Sequence, residues 1–286
     1  MAVKPPLKWA GSKTRVMPEL IKHLPAGKRL VEPFAGSCAV MMNTDYDAYL
    51  IADANHQLVN AYVMMAHHTD ALLTELETLF AAGSVGSESQ RGEFYYCVRA
   101  RLNHSALSAV ELAASFLYLN RHGYNGMCRY NLRGEFNVPF GKYKSPYFPA
   151  SEVRAFAAKA KRASFVCADF TETLGLIGVG DVIYCDPPYN PAAGKSSFTK
   201  YHSADFDAAC QQRLAAMLES LADKGNPVIA SNSDSDMTHS QYGHRRFYLH
   251  KISVARSVGA ATGGSSNAPE IIAVGIPSVK TEGAAL

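Results

Sequence analysis

The chain predicts an α/β fold, a mostly parallel sheet with helices on both faces, interrupted by a block of helices. Three observations carry this. Short apolar runs alternate with amphipathic stretches at both ends of the sequence. The strand signals vanish between about residues 56 and 148. With 48% hydrophobic residues, 286 positions are enough to bury a large core. Taken in order, KRLVEPFAG (28–36) reads as a strand running into a turn, and AYLIADAN (48–55) as a second strand ending in an acid. ALLTELETLF and AVELAASFLYLN are helical, with the flexible AAGSVGSESQRG between them. After residue 150 the alternation resumes. EVRAFAAKAKR places Val153, Phe156, Ala157 and Ala160 on one helical face, and SFVC is a strand. DVIYCDPPY is a buried strand stopped by a double proline. QQRLAAMLESLA sets Leu214, Met217, Leu218 and Leu221 in one stripe, and PVIAS is the next strand.

Several classes are excluded. The six cysteines form no C-x-x-C pair and read as reduced thiols of a cytosolic protein. The start lacks an apolar signal core and no eighteen apolar residues run together, so neither export nor a membrane span is expected. Ten histidines include no H-E-x-x-H or similar cluster, and no metal site is expected. A net charge of +3 says little until its distribution is considered.

The most specific chemistry lies in DPPY, Asp186 to Tyr189, at the carboxyl end of a strand, where open α/β sheets put their ligands. A strand-terminating turn is the bland alternative. The functional one follows from the difficulty of methylating an exocyclic base amine, whose lone pair is delocalised into the ring. Asp186 and the carbonyl of Pro187 could accept both N–H hydrogens and favour the nucleophilic form, while the ring of Tyr189 holds the base. EPFAGSCAV is a strand-to-helix turn with room for a ligand at Gly36, a weak signal by itself. Asp53, ending the next strand, stands where a nucleoside ribose finds its acceptor in Rossmann-like folds, so the two together indicate an adenosine-containing cofactor. LKWAGSK holds the only tryptophan, Trp9, between Lys8 and Lys13; both core and contact roles remain open for it.

Residues 121–144 carry Arg121, Arg129, Arg133, Lys142 and Lys144 against the single acid Glu135, a local excess of four that is larger than the charge of the whole chain. Interleaved with them are Tyr124, Tyr130, Phe136, Phe140 and Tyr143. Cations and rings on a glycine-punctuated ribbon suit phosphate contact combined with stacking at bases. Composition alone favours the alternative, a solvated hairpin whose rings pack on helices behind it.

On KWAGSK, VEPFAG, IADAN, YLNRHGYNGMCRYNLRGEFNVPFGKYKSPYFP, YCDPPY, FTKYH and IASN, in this order and over nearly the whole length, the chain resembles the Dam-type DNA adenine methyltransferases, which methylate the N6 amine of adenine in GATC. The resemblance implies a Rossmann-like S-adenosylmethionine-dependent catalytic domain (1–55 and 149–286) and an inserted helical target-recognition domain (56–148) with a DNA-reading β-hairpin at about 121–140. It implies S-adenosylmethionine contacts at Trp9, Ala10, Lys13, Phe34, Gly36, Asp53, Phe170 and Asp186, and catalysis by Asp186, Pro187 and Tyr189. On the DNA side Lys8 matches a reader of the outer guanine. Arg129, Met127 and Tyr143 match readers of the other base pairs, and Tyr124 and Asn125 match residues that enter the stack or the space left by a flipped adenine. Arg121, Pro139 and Lys144 fall on the same DNA-facing surface. The implied partner is double-stranded DNA, bound by a monomer in the cytoplasm and at the nucleoid.

Three departures stand out: Cys38 replaces a second glycine in the cofactor turn, Met127 replaces a leucine, and the stretch after Arg256 lacks a basic pair. A related amino-methyltransferase acting on cytosine N4, RNA or a protein amide, and a DNA-binding protein without turnover, are the competing readings. Host, phage and restriction-system origins are equally compatible with the sequence.

Overall fold

Strand β1 (Arg29–Glu32) lies near the middle of a seven-stranded sheet of order β3-β2-β1-β4-β5-β7-β6. The computed structural model describes residues 2–189, 206–243, 246–255 and 267–275. The FTKYH segment and Arg256 lie outside the described residues. Strands β2 (Ala48–Asp53), β3 (Ala163–Cys167), β4 (Asp181–Cys185) and β5 (Val228–Ser233) run parallel to β1. Strand β7 (Asn267–Gly275) is antiparallel between β5 and β6 (Phe247–Ala255). β4 is buried along its whole length, which is why after Asp181 it reads as a continuous apolar run and not as an alternation.

Side-chain alternation on β4 builds two cores. Val182 and Tyr184 face one side with Leu30, Tyr49 and Ile51; Ile183 and Cys185 face the other with Val228 and Ala230. On the first side pack α1 (Met17–Leu20), α2 (Ala39–Asn43), α3 (His56–His67) and α7 (Ala150–Ala160). On the second pack α8 (Phe170–Gly175), α9 (Ala208–Asp223) and α10 (Asp236–Tyr242). Helices on both faces of a mostly parallel sheet are what the alternation predicts.

The insertion is made of α4 (Thr69–Gly83), α5 (Glu88–His104) and α6 (Ala109–His122). Ser87 with Gln90 and Ser108 with Glu111 form capping boxes that start α5 and α6. From Ala113 to His122 every residue of α6 is buried, as befits a central helix surrounded by its neighbours. Helix α3 packs on both α6 and α7, so one apolar core runs without a break from the sheet into the insertion.

The ribbon that follows α6 differs from the expected β-hairpin. Among the described residues its two arms are joined by isolated bridges at Gly123–Phe140 and Tyr130–Phe136, around a turn closed by Gly134 N–H donating to Asn131 O. Four backbone hydrogen bonds cross between the arms, from Tyr124 N–H to Pro139 O, Gly141 N–H to His122 O, Asn131 N–H to Glu135 O and Asn137 N–H to Arg129 O, and buried rings hold the ribbon down. Among the described residues no helix is long and apolar enough to cross a membrane.

Candidate functional site

The carboxyl ends of β1 and β4 are neighbours, and from there the chain turns to β2 and β3 on one side and to β5 on the other. That is the switch point at which open sheets leave a crevice. The loop after β1 is fixed by Ala35 N–H donating to Ala52 O and by the Tyr62 hydroxyl donating to Gly36 O. Gly36 has φ +49°, and a Cβ there would meet the Trp9 indole nitrogen at 2.9 Å, so the bare backbone lets the indole lie on the loop. Asp53 Oδ2 accepts from Gly36 N–H at 3.2 Å, and Oδ1 accepts from Asn55 N–H at 3.0 Å. Phe34 stacks on buried Phe170 with ring centres 5.7 Å apart, and Phe206 closes edge-on against both. Trp9, Phe34, Gly36, Asp53 and Phe170 therefore line one crevice, with Ala10 following Trp9 at its half-buried rim.

Asp186 follows β4. Its Oδ2 lies 2.8 Å from Lys13 Nζ, which also donates to Gly11 O at 2.8 Å and sits 4.8 Å from the centre of the Tyr189 ring. Among the described residues Asp186 Oδ1 is buried and accepts no hydrogen bond, with the Tyr189 hydroxyl the nearby donor group. Burial pushes the Asp186 carboxyl above the usual aspartate range, against the pull of Lys13, and the neighbouring Glu270 adds to the rise. The Tyr189 hydroxyl donates to Glu270 Oε2 at 3.0 Å, and burial followed by the two carboxylates keeps that phenol protonated. At the end of β1, Glu32 is 1% exposed; burial raises its pKa to about 8, a hydrogen bond from the Met41 backbone opposes this, and Asp186 reinforces it. Glu32 and Glu270 thus both lie close enough to Asp186 to act on its charge, while Lys13 pairs with Asp186 itself. A site so arranged can hold an amine by its hydrogens.

Glu32 and Glu270 were not singled out from the sequence. An acid inside an apolar strand run, VEPF or PEII, was the available signal. Among the described residues no group of three His, Cys, Asp or Glu side chains is placed to hold a metal ion.

The ribbon's charges and rings divide between two sides. Arg121 requires correction: expected to face DNA, it is 7% exposed, donates to Pro6 O and lies over the Tyr147 ring, because the last turn of α6 is buried beneath the amino-terminal segment. Tyr130 and Phe136 also point inward, the Tyr130 hydroxyl bonding to Asn55 and Gln57, and Phe140 packs on Tyr95. For these three rings the packed-hairpin alternative holds. Outward lie Tyr124, 51% exposed, and Asn125, at φ +54° with its N–H donating to the Tyr143 hydroxyl. Arg133, Pro139 and Lys144 are exposed, whereas Lys142 pairs with Glu88 at 3.2 Å. Met127 is half-buried against the core. Arg129 is half-buried, its Nε donating to Asn137 Oδ1 at 2.8 Å and Nη2 to Asn137 O at 3.1 Å, which aims the rest of the guanidinium. Lys8 Nζ lies 4.7 Å from the Tyr143 ring centre, and Asn120 accepts from Lys8 N–H and donates to Lys8 O and Gly126 O. The segment carrying Lys8, Trp9 and Lys13 is thereby tied to the root of the ribbon.

Residues 9–258 match the family described as D12 class N6 adenine-specific DNA methyltransferase. The chain is 51% identical over 269 residues to the retron Ec67 DNA adenine methylase of Escherichia coli, covering 94% of this chain and 90% of that protein. It is 43% identical to the DNA adenine methylase of Serratia marcescens (94% and 97% covered) and 41% identical to that of Escherichia coli strain K12 (96% and 95% covered).

Proposed function

The chain belongs to the D12 class of N6 adenine-specific DNA methyltransferases, and from that premise we propose that it moves a methyl group from S-adenosylmethionine to an adenine turned out of the duplex at GATC. The observation that carries the active-site assignment is the buried Oδ1 of Asp186, which accepts no hydrogen bond among the described residues. A buried acceptor without a donor costs about 1–3 kcal/mol, and an amine hydrogen presented there meets that need. With Asp186 accepting one hydrogen and the Pro187 carbonyl the other, the lone pair is drawn out of conjugation and directed at the methyl group. Tyr189, whose ring lies beside Lys13, holds the base face.

The crevice suits the methyl donor on two counts. The bare backbone of Gly36 under Trp9 leaves room for a flat group, and Asp53 stands where ribose hydroxyls need an acceptor. Phe34 and Phe170 offer an apolar wall, while Ala10, Lys13 and Asp186 close the other end. S-adenosylmethionine supplies a methyl group activated on a sulfonium.

For DNA, Lys8, Arg129, Met127, Pro139 and Tyr143 are assigned to base pairs, Tyr124 and Asn125 to the space left by the turned-out adenine, and Lys144 to phosphate. Support for GATC comes from the ribbon's resemblance to Dam-type enzymes and from the exposure of Tyr124 and Asn125. We assign the monomer as the active unit, acting on chromosomal or episomal DNA in the cytoplasm.

The test is to incubate unmethylated plasmid with wild type, Asp186→Ala and Arg129→Ala and to map N6-methyladenine at single-base resolution. Wild-type marks are expected in GATC, and Asp186→Ala should lose at least about a hundredfold in transfer. Arg129→Ala should spread marks to neighbouring sequences, since a bidentate guanine contact is worth about 1–3 kcal/mol of discrimination. Wild-type marks outside GATC refute the target assignment, and an active Asp186→Ala refutes the catalytic one.

A further inference from the structure

Pro187 and Pro188 have no N–H, so the turn that carries Asp186 and Tyr189 has no backbone donor of its own at two consecutive positions. Proline fixes φ but leaves ψ free, and ψ decides where its carbonyl points. The carbonyl of Pro188 belongs to the same rigid peptide unit as the Tyr189 nitrogen, so its direction sets the position from which the Tyr189 side chain starts. A turn of this kind needs an outside donor to be held to one geometry.

Gln211, near the start of α9, provides that donor. Its Nε2 donates to Pro188 O at 2.6 Å. Its Oε1 accepts from Asn232 Nδ2 at 3.3 Å, and Asn232 Oδ1 in turn accepts from Ser233 N–H at 2.8 Å. Both side chains are 1% exposed. The chain of bonds has only one consistent direction: a proline carbonyl can only accept, so the Gln211 amide must present nitrogen to it, and a backbone N–H can only donate, so Asn232 must present oxygen at the other end. The polar residue also stands on an otherwise apolar stripe with Leu214, Ala215 and Leu218, where a hydrophobic side chain would pack. A buried amide in such a place is retained at a desolvation cost that its hydrogen bonds must offset.

We propose that Gln211, oriented by Asn232, is a positioning residue for methyl transfer, holding the Pro187–Pro188–Tyr189 turn in the one geometry that presents the Pro187 carbonyl and the Tyr189 ring to the target amine. This rests on the assignment of Asp186 to Tyr189 as the active-site turn. Gln211 itself touches neither base nor methyl donor. Its loss should therefore act on the transfer step and not on binding.

The experiment measures single-turnover methylation of a GATC duplex by Gln211→Leu and Gln211→Glu, alongside dissociation constants for S-adenosylmethionine and for DNA, and melting temperature. The expected result is a transfer rate lowered at least about tenfold in both variants, with both dissociation constants within about twofold of wild type. Gln211→Glu adds a readout that packing alone would not move. An ionised carboxylate presents only acceptors to the Pro188 carbonyl, whereas a protonated one regains a donor, and burial raises its pKa towards neutrality. The rate of Gln211→Glu relative to wild type should therefore rise as pH falls from about 8 to about 6, while that of Gln211→Leu stays level. A Leu variant with near wild-type transfer, a rate loss matched by equal losses in binding, or a level pH ratio for the Glu variant each overturns the proposal. If Gln211→Leu does not fold, the pH ratio of Gln211→Glu decides alone. Asp186→Ala in the same assay separates the two ideas: if it transfers normally the active-site assignment fails, and if it is dead while Gln211 is dispensable only the clamp fails.

Discussion

Gly36 and Cys38 sit two residues apart in left-handed backbone, and only the first is a residue that this conformation favours. At Gly36 (φ +49°) the glycine is required twice, by its dihedral and by the indole of Trp9 pressed against it. Cys38 (φ +58°) carries the strain of a side chain in the left-handed region, about 1–2 kcal/mol, and its buried thiol lies against Tyr62. The turn thus keeps a glycine's backbone conformation at the position where the resemblance implies a second glycine. Glu32, four residues before Gly36, lends itself to a prediction with a definite sign. In the unfolded chain its carboxyl ionises near the ordinary value of 4.5, whereas the folded protein holds its proton to about 8. Between those values the unfolded state binds fewer protons, so this group's contribution to stability is full below about pH 4.5 and is lost progressively as pH rises to about 8. Glu32→Gln should remove that slope. Denaturant unfolding at about pH 5 and pH 8.5 should show the variant closer to wild type at the lower pH and more stable than wild type at the higher one. Equal pH dependence in the two proteins would mean Glu32 is ionised throughout.

At the scale of the element, the ribbon after α6 is organised from its inner side. Tyr130, Phe136 and Phe140 anchor it from within, and Asn120, Asn137 and four backbone hydrogen bonds between the arms add to that hold. Its outer side is then free to meet a duplex. Arg121 belongs to the anchors, and its replacement should behave accordingly. Arg121→Ala leaves Pro6 O without its donor and should cost about 1–3 kcal/mol of stability while leaving the salt dependence of DNA affinity unchanged. Arg133→Gln and Lys144→Gln, at exposed sites, should leave stability within about 0.5 kcal/mol and each reduce the slope of log affinity against log salt by about one. Titrations of a GATC duplex across a salt series, with melting curves, check both. An unchanged slope for Arg133→Gln and Lys144→Gln would place the phosphate contacts elsewhere. Lys142 and Glu88 form an exposed pair that contributes little, so that lysine can exchange its carboxylate for a phosphate at small cost.

At the scale of the whole molecule, the sheet and the insertion share one core through α3 and α6, so the ribbon is built onto the same body as the Asp186 crevice. Asn120 adds a polar joint, bonding the segment that leads to Trp9 and Lys13 with the root of the ribbon. One chain contains every element assigned to recognition and transfer, so the proposed monomer would present them in one orientation to one strand. A palindromic GATC then requires two binding events, one for each adenine. With DNA in large excess, half-methylated sites should accumulate first, and a synthetic half-methylated duplex should be methylated at a rate within about threefold of the unmethylated one. Strand-resolved sequencing during the time course checks this. Simultaneous modification of both strands from the start, with transfer rising as the square of enzyme concentration, would instead require a dimer with two-fold symmetry.

The strands of the sheet were legible in the sequence because burial on both faces leaves a local mark: Asp181–Cys185 is apolar at nearly every position, and the double proline ends it on the crevice side. The helical insertion was legible in part: α4 and α6 carry apolar stripes, whereas α5 has none to mark it, and the stretch that reads as a flexible loop, 81–92, is helical up to Gly83 and again from Glu88. The family was legible too, since its motifs are short, contiguous and ordered along the chain. What the tertiary structure alone decided are the partnerships across sheet and insertion. Lys8 reaches Asn120 across 112 positions and Tyr189 reaches Glu270 across 81, separations at which no periodicity in the chain announces a contact. It also decided which of the ribbon's cations and rings turn inward. A short irregular ribbon has no repeat to assign its faces, so whether Arg121 meets solvent or Pro6 depends on what the amino-terminal segment covers, and that is settled only when the whole chain packs.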